Sequence, residues 1–231
     1  MSTTGAVANP EAARFSVSSP RGARTAAAGT GAASSAAAPS GSASTSAGAG
    51  SAVFTAVNNR RSYSKVTTVA PSRAELLPLV AAAARAADHG ALRPWRLLEL
   101  RGDARELLGA ALVAASACTG LEATRLAGKP LRAPLLIAIV ASRRMNFKVT
   151  DWEQDAAAAG VAHLLTLLLE NAGWGAMWRT GPLVRSAPVR VLHGLTDSEE
   201  LLGWLYVGGI PEDSKPGVRR SIDPEEFLGT M

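Results

Sequence analysis

Residues 135–141 read Leu-Leu-Ile-Ala-Ile-Val-Ala, seven consecutive apolar residues directly behind Pro134. A run of strand length with no polar interruption predicts a strand covered on both faces, the natural centre of a sheet. A strand covered twice needs helices above and below it, and the flanking sequence supplies them. Ser72-Arg73-Ala74-Glu75 is a capping box in which hydroxyl and carboxylate each satisfy the other residue's amide, and it opens a helix through about Ala87. Asp88-His89-Gly90 ends that helix, Pro94 precedes a strand at Trp95–Leu100, and Gly102-Asp103 introduces a helix over Ala104–Ala117. Thr119 to Leu131 shows no decisive pattern. Thr150-Asp151-Trp152-Glu153 is a second capping box, starting a helix that runs to Asn171 with Gly173 as its left-handed stop. That helix is apolar nearly all round, which suits a core or a subunit interface and predicts a dimer. Beyond it come a short strand at Ala176–Trp178, a helix near Pro188–His193 ended by Gly194, and a capped helix start at Thr196-Asp197-Ser198-Glu199. A strand at Trp204–Val207 then runs into Gly208-Gly209. Helices mixed with strands in this way predict a layered α+β fold.

The folding unit is shorter than the 231-residue chain. From Met1 to about Ser51 the sequence is Ala, Ser, Gly and Thr with scattered Pro, and Val7, Phe15 and Val17 are its only large apolar residues beyond Met1. So little apolar surface does not offset the entropy of ordering, and residues 1–51 are expected to form a disordered tail. Arg14, Arg21 and Arg24, with only Glu11 acidic, leave an organelle transit peptide as the other reading of this segment. All five Trp and nearly all the Leu follow Val53, so residues 52–231 are expected to form one domain, beginning with a helix over Val53–Asn59.

Composition removes several classes of function. The net charge of +5 is carried by Arg spread over several elements and mixed with Asp and Glu, which argues against a nucleic-acid stripe. The single cysteine, Cys118, excludes an intrachain disulfide and a Cys-based metal cluster, and it fits a reducing, cytoplasmic setting. No apolar run approaches the length of a membrane span, and no signal core opens the chain. There is no Gly-x-Gly-x-x-Gly after a strand, no phosphate loop, no His-Glu-x-x-His and no Gly-x-Ser-x-Gly elbow. His163, on an apolar helix, and His193, near a helix end, read as structural, as do Trp152 and Glu153 in their capping box.

Four separated segments carry the chemistry. They are Asn59-Arg60-Arg61-Ser62-x-Ser64; Arg85-Ala86-Ala87-Asp88-His89-Gly90 with Leu92-Arg93-Pro94-Trp95-Arg96; Lys148-Val149-x-x-Trp152-Glu153-Gln154; and Gly175-Ala176-Met177-Trp178-Arg179-Thr180-Gly181. In that order and spacing they resemble the nitroreductase family, and within it the small, single-domain NAD(P)H nitroreductase branch, over about Val53 to Pro211. Two departures stand out. Ala87 replaces the branch's usual Pro before Asp-His, and Gly209-Ile210 leads into a polar tail.

The resemblance implies a layered fold with a central mixed sheet flanked by helices, an obligate-type homodimer, and FMN bound between the two subunits. Arg60, Arg61 and Ser62 offer guanidinium forks and a hydroxyl to a phosphate, although on their own they also suit a solvated charge pair. Arg85 and His89 lie one helical turn apart and are expected at the flavin, from the partner subunit; His89 also reads as a simple helix-end residue. Trp178, Arg179 and Thr180 place backbone amides and a cation by the flavin ring, or else form a core Trp beside a surface Arg. The stretch Leu168-Leu169-Glu170-Asn171-Ala172-Gly173 corresponds in the branch to a nicotinamide-donor contact, and reads equally well as an ordinary helix end. No residue is expected to act as a dedicated acid or base, and no metal is expected, because the flavin carries hydride from NAD(P)H to a nitroaromatic, quinone or similar acceptor. Flavin fragmentation, reductive dehalogenation and non-enzymatic flavin binding are the alternatives within the same fold.

Overall fold

The computed structural model describes residues 51–215 and 218–231, so the expectation for the N-terminal tail lies, apart from Ser51, outside the described residues. Ser51 is the N-cap of α1 (Ala52–Asn59), its hydroxyl accepting from the Phe54 amide at 3.1 Å. The first capping box forms as expected and opens α2 (Arg73–Ala83): the Ser72 hydroxyl accepts from Glu75 N at 3.3 Å, and the Glu75 carboxylate accepts from Ser72 N at 2.8 Å. α2 ends four residues short of the expected Ala87. Its last turn tightens, with Arg85 N and Ala86 N bonding the carbonyls three residues back, and the chain leaves for a 3-10 turn at His89–Ala91.

Next come β1 (Trp95–Leu100), α3 (Asp103–Ser116) and α4 (Gly120–Ala127), which occupies the stretch that sequence pattern left unplaced. They are followed by β2 (Leu135–Ser142), α5 (Asp151–Asn171), β3 (Trp174–Arg179), α6 (Ala187–Leu192) and β4 (Glu199–Gly209). The strands form one sheet in the order β1-β2-β4-β3. Residues 135–141 are all buried, and their alternation divides the core in two. Leu136, Ala138 and Val140 meet Leu108 and Leu112 of α3, Leu126 of α4 and Val189 of α6. Leu135, Ile137 and Ile139 meet Leu76 of α2 and Val161, Leu165 and Leu169 of α5 on the opposite face. The covered strand is therefore the middle of three layers, and each large buried side chain contributes about 1.5–3 kcal/mol of transfer free energy.

Two expectations are corrected. The expected mixed sheet is antiparallel at all three pairings. β2 and β3, joined through α5, do run parallel, but β4 is inserted between them, so no parallel pair is hydrogen-bonded. Thr196–Glu199 does not start a helix. The Glu199 carboxylate does accept from Thr196 N at 3.1 Å, as in a cap, but both its oxygens are also held by Arg96, at 2.6 and 2.8 Å, and from Glu199 onward the backbone pairs with β2. β4 is consequently longer than the expected Trp204–Val207.

α5 carries the second capping box, and Gly173, at φ +86°, ends the chain's helical course. One face of α5 is buried, while His163, Leu164 and Trp152 remain exposed, so the apolar outer face is open in a single chain. Among the described residues no helix is long and apolar enough to cross a membrane.

Candidate cofactor site

At the end of α1 the chain turns at Arg60 and crosses the ends of β3 and β4. Tyr63 N donates to Ala176 O at 3.0 Å, Thr67 N to Gly209 O at 2.8 Å, and Gly209 N to Val69 O at 2.9 Å. The crossing needs a glycine beneath it, since a Cβ on Gly208 would stand 2.8 Å from Val66 Cγ2 and 2.9 Å from Thr67 O. From below, Glu170 accepts from Arg61 N at 2.6 Å and from the Tyr63 hydroxyl at 3.1 Å. Burial, with Glu170 alongside, pushes the Tyr63 hydroxyl above its ordinary pKa, so it stays a donor.

The loop walls a cavity of about 760 Å³ whose lining includes five basic side chains, Arg60, Arg61, Lys65, Lys215 and Arg219, together with Ser62 and one acid, Asp213. Arg219 donates to the carbonyls of Asn58 and Arg60, tying the C-terminal segment to the end of α1. Five cations around one concavity, with a hydroxyl between them, have the charge and donors to suit a multiply charged anion. Arg60, Arg61 and Ser62 all line this cavity. Lys65, Lys215 and Arg219 were missed: Lys65 sits three residues past Ser62 and could have been read from that spacing, whereas nothing local marks the other two.

Arg179, in the lining of a second cavity, reaches the loop that walls this one. Its Nη2 donates to the Ser64 carbonyl at 3.3 Å, its guanidinium carbon stands 5.1 Å from the Tyr206 ring centroid, and its Nε is buried without a partner. The second cavity, of about 550 Å³, is walled by Met177, Trp204, Tyr206 and Leu112, with Thr180 at the strand end and Lys129 and Arg132 among its lining. Burial raises the Tyr206 pKa, keeping the phenol neutral. Trp178 lends this cavity its place in the backbone rather than its ring, because its indole N–H donates to Leu202 O at 3.2 Å and its ring meets His163 edge-on at 5.2 Å.

Arg85 and His89 join neither cavity. Both are exposed, and His89 Nδ1 lies 2.9 Å from Glu153 at the start of α5, where that bond and those of Thr150 hold the Glu153 carboxyl down to about 2. Glu153 and Glu170 are separated by about 25 Å of helix at 1.5 Å per residue, so His89 and Arg61 stand at opposite ends of α5. In the stretch Leu168–Gly173, Leu169 is wholly buried in the core, Glu170 holds the loop, and Asn171 and Ala172 are exposed.

This sequence and fold have parallels among known proteins. A family model described as the nitroreductase family matches residues 57–209. Over 153 residues the chain is 33% identical to YdjA of Escherichia coli (strain K12), whose name refers to an NAD(P)H nitroreductase; this covers 65% of the chain and 84% of YdjA. A nitroreductase-like family protein from Bacillus cereus superimposes with a TM-score of 0.69 at 22% identity, over 78% of this chain and 96% of that one. NfnB from Sphigopyxis sp. strain HMH, described as an FMN and NADPH-dependent nitroreductase, superimposes with a TM-score of 0.60 at 21% identity, over 77% and 97%. The matched span opens at Val57, just before the Arg60 turn, and closes at Gly209, where β4 meets the loop, so it takes in the three layers and the Arg60–Lys65 wall of the basic cavity but not Lys215 or Arg219: the chain belongs to the nitroreductase family of oxidoreductases.

Proposed function

We propose that this chain is an FMN-dependent oxidoreductase, working as a homodimer, that takes reducing equivalents from NAD(P)H and passes them to a nitroaromatic, quinone or similar acceptor. The observation that carries this reading is a pair of cavities, one lined by five basic side chains and the other walled by aromatic and aliphatic ones, linked by the hydrogen bond from Arg179 of the second to the Ser64 carbonyl of the first. FMN has that polarity, a phosphate dianion at one end and a flat ring system at the other. The buried, unpartnered Nε of Arg179 is a donor that a ring carbonyl or nitrogen would satisfy. The names of YdjA and NfnB add support for the nicotinamide donor and for the flavin.

A flavin supplies reversible hydride transfer between a nicotinamide and an acceptor, chemistry that no side chain here offers. The protein's part is to bind and polarise. Arg60, Arg61, Ser62, Lys65, Lys215 and Arg219 would anchor the phosphate. Arg179, with Lys129 and Arg132, would stabilise negative charge on the reduced ring, and the apolar walls of Met177, Trp204 and Leu112 would limit water. Arg85 and His89, about 25 Å of helix away from the basic loop of their own chain, are assigned to the cofactor of a second copy, in keeping with a dimer. The exposed apolar side of α5 suits such an interface, and the lone Cys118 fits a cytoplasmic setting.

The test is the absorbance of the purified full-length protein. A flavin spectrum that bleaches anaerobically with NADPH or NADH and returns on adding a nitroaromatic or a quinone is the expected result. A colourless protein that takes up no FMN on incubation would overturn the reading.

A further inference from the structure

Glu170 occupies the last turn of α5, where a carboxylate faces the negative end of the helix dipole and is electrostatically out of place. Both of its oxygens are engaged, by groups 109 and 107 residues upstream: Oε2 accepts from the Arg61 amide at 2.6 Å and Oε1 from the Tyr63 hydroxyl at 3.1 Å. These contacts bracket Ser62. A third tether, Tyr63 N to Ala176 O at 3.0 Å, fixes the far side of the same tripeptide to β3. Held at those points, the loop turns Arg60, Arg61 and Ser62 toward the basic cavity. The Arg61 amide, which in an open loop would be a free donor for an anion, is already given to Glu170, so recognition of the phosphate passes to side chains.

Resting on the FMN reading above, we propose that Glu170 is a positioning residue for the cofactor phosphate: it shapes the Arg60–Ser62 turn from beneath and contacts neither the flavin nor the nicotinamide donor. An acid at this helix end, directed inward with both oxygens occupied, serves the loop rather than a ligand in the cavity. The consequence is selectivity. Loss of Glu170 disorders the phosphate end of the site and leaves the ring cavity, on the other side of Arg179, as it was.

FMN and riboflavin differ only in the phosphate, so they separate this role from general loss of structure. Full-length protein stripped of flavin is titrated with each, following flavin fluorescence, for the unaltered chain, Glu170→Gln and Tyr63→Phe. The near-isosteric Gln keeps one acceptor oxygen but offers the Arg61 amide or the Tyr63 hydroxyl an NH2 group. E170Q is expected to weaken FMN about tenfold, as the loss of one charge-assisted hydrogen bond implies, with riboflavin affinity unchanged; Y63F is expected to lose about threefold in the same selective way. FMN affinity equal to that of the unaltered chain, or equal weakening of both flavins, overturns the proposal. So does a raised KM for NADPH in E170Q at unchanged FMN affinity, which would make Glu170 a donor contact. If the unaltered chain binds neither flavin, it is the flavin reading that has failed.

Discussion

Gly203 is the position where one added methyl group should do most harm. At β4 the register slips between Ile139 and Val140 of its partner strand, leaving Leu202 as the extra residue, and Gly203 takes φ +127° at the bulge. A Cβ there would stand 2.5 Å from the Arg179 carbonyl oxygen, 2.7 Å from Trp178 Nε1 and 3.0 Å from Thr180 Cγ2. The first of these is backbone in a paired strand, so β3 must move rather than a side chain rotate. Backbone strain at a non-glycine positive φ costs about 1–3 kcal/mol, overpacking adds about 1–3 kcal/mol, and displacing the Trp178 indole from Leu202 O loses about 1 kcal/mol. Gly203→Ala should therefore destabilise the domain by about 3–7 kcal/mol, a drop in Tm of roughly 6–28 °C at the 2–4 °C per kcal/mol typical of a domain this size. Urea unfolding with and without saturating FMN would measure it, and the same shift of Trp178–Thr180 should weaken flavin binding. A change below about 0.5 kcal/mol would show that the crowding at this bulge is not real and would refute the argument.

Arg60→Ala with Arg61→Ala should abolish FMN retention through purification while leaving the melting temperature of the flavin-free protein within a few degrees; full occupancy would rule out the phosphate assignment. His193 should make stability sensitive to mild acid. It is buried, its Nε2 accepts from the Trp204 indole at 3.0 Å and its Nδ1 donates to Val189 O at 2.8 Å, so only the neutral ring satisfies both bonds, and burial lowers its pKa below the ordinary 6.5. The unfolded chain then binds the extra proton first, so this stabilisation is complete above pH 6.5 and is lost as pH falls through the lower folded-state value. Urea midpoints from pH 7.5 to 5 should show that slope, and its persistence in His193→Gln would assign it elsewhere. We propose that residues 52–231 form the whole folding unit, and removal of residues 1–50 should leave melting temperature and flavin content unchanged; loss of either would place the tail in the fold.

The elements legible in the sequence were those whose signal is short-ranged. Both capping boxes formed, β1 has the expected bounds, and residues 135–141 are the doubly covered strand. The same patterns failed where a distant partner decided the outcome. Thr196–Glu199 carries a helix-start signature, but Glu199 is claimed by Arg96 from 103 residues away, and the chain enters the sheet instead. Thr119–Leu131 had no legible pattern because α4 presents one buried Leu, Leu126, to a core built mainly by other elements.

For the site, the residue types were readable and their grouping was not. Arg60, Arg61 and Ser62 are neighbours in the chain, so adjacency alone suggested an anion; Trp178, Arg179 and Thr180 follow from a strand end. Lys215 and Arg219 entered the cavity only because the C-terminal segment returns to α1, and Glu170 came under the loop only because α5 ends there. The sequence by itself determined most of the helices, though not α4, together with the central strand and the family, since caps, periodicity and contiguous motifs act over a few residues. Tertiary structure alone decided the antiparallel order of the strands, the ring of five cations, and the separation of His89 from Arg60 along α5. Those depend on which residues, a hundred positions apart, can satisfy one another's charges and hydrogen bonds once the layers close.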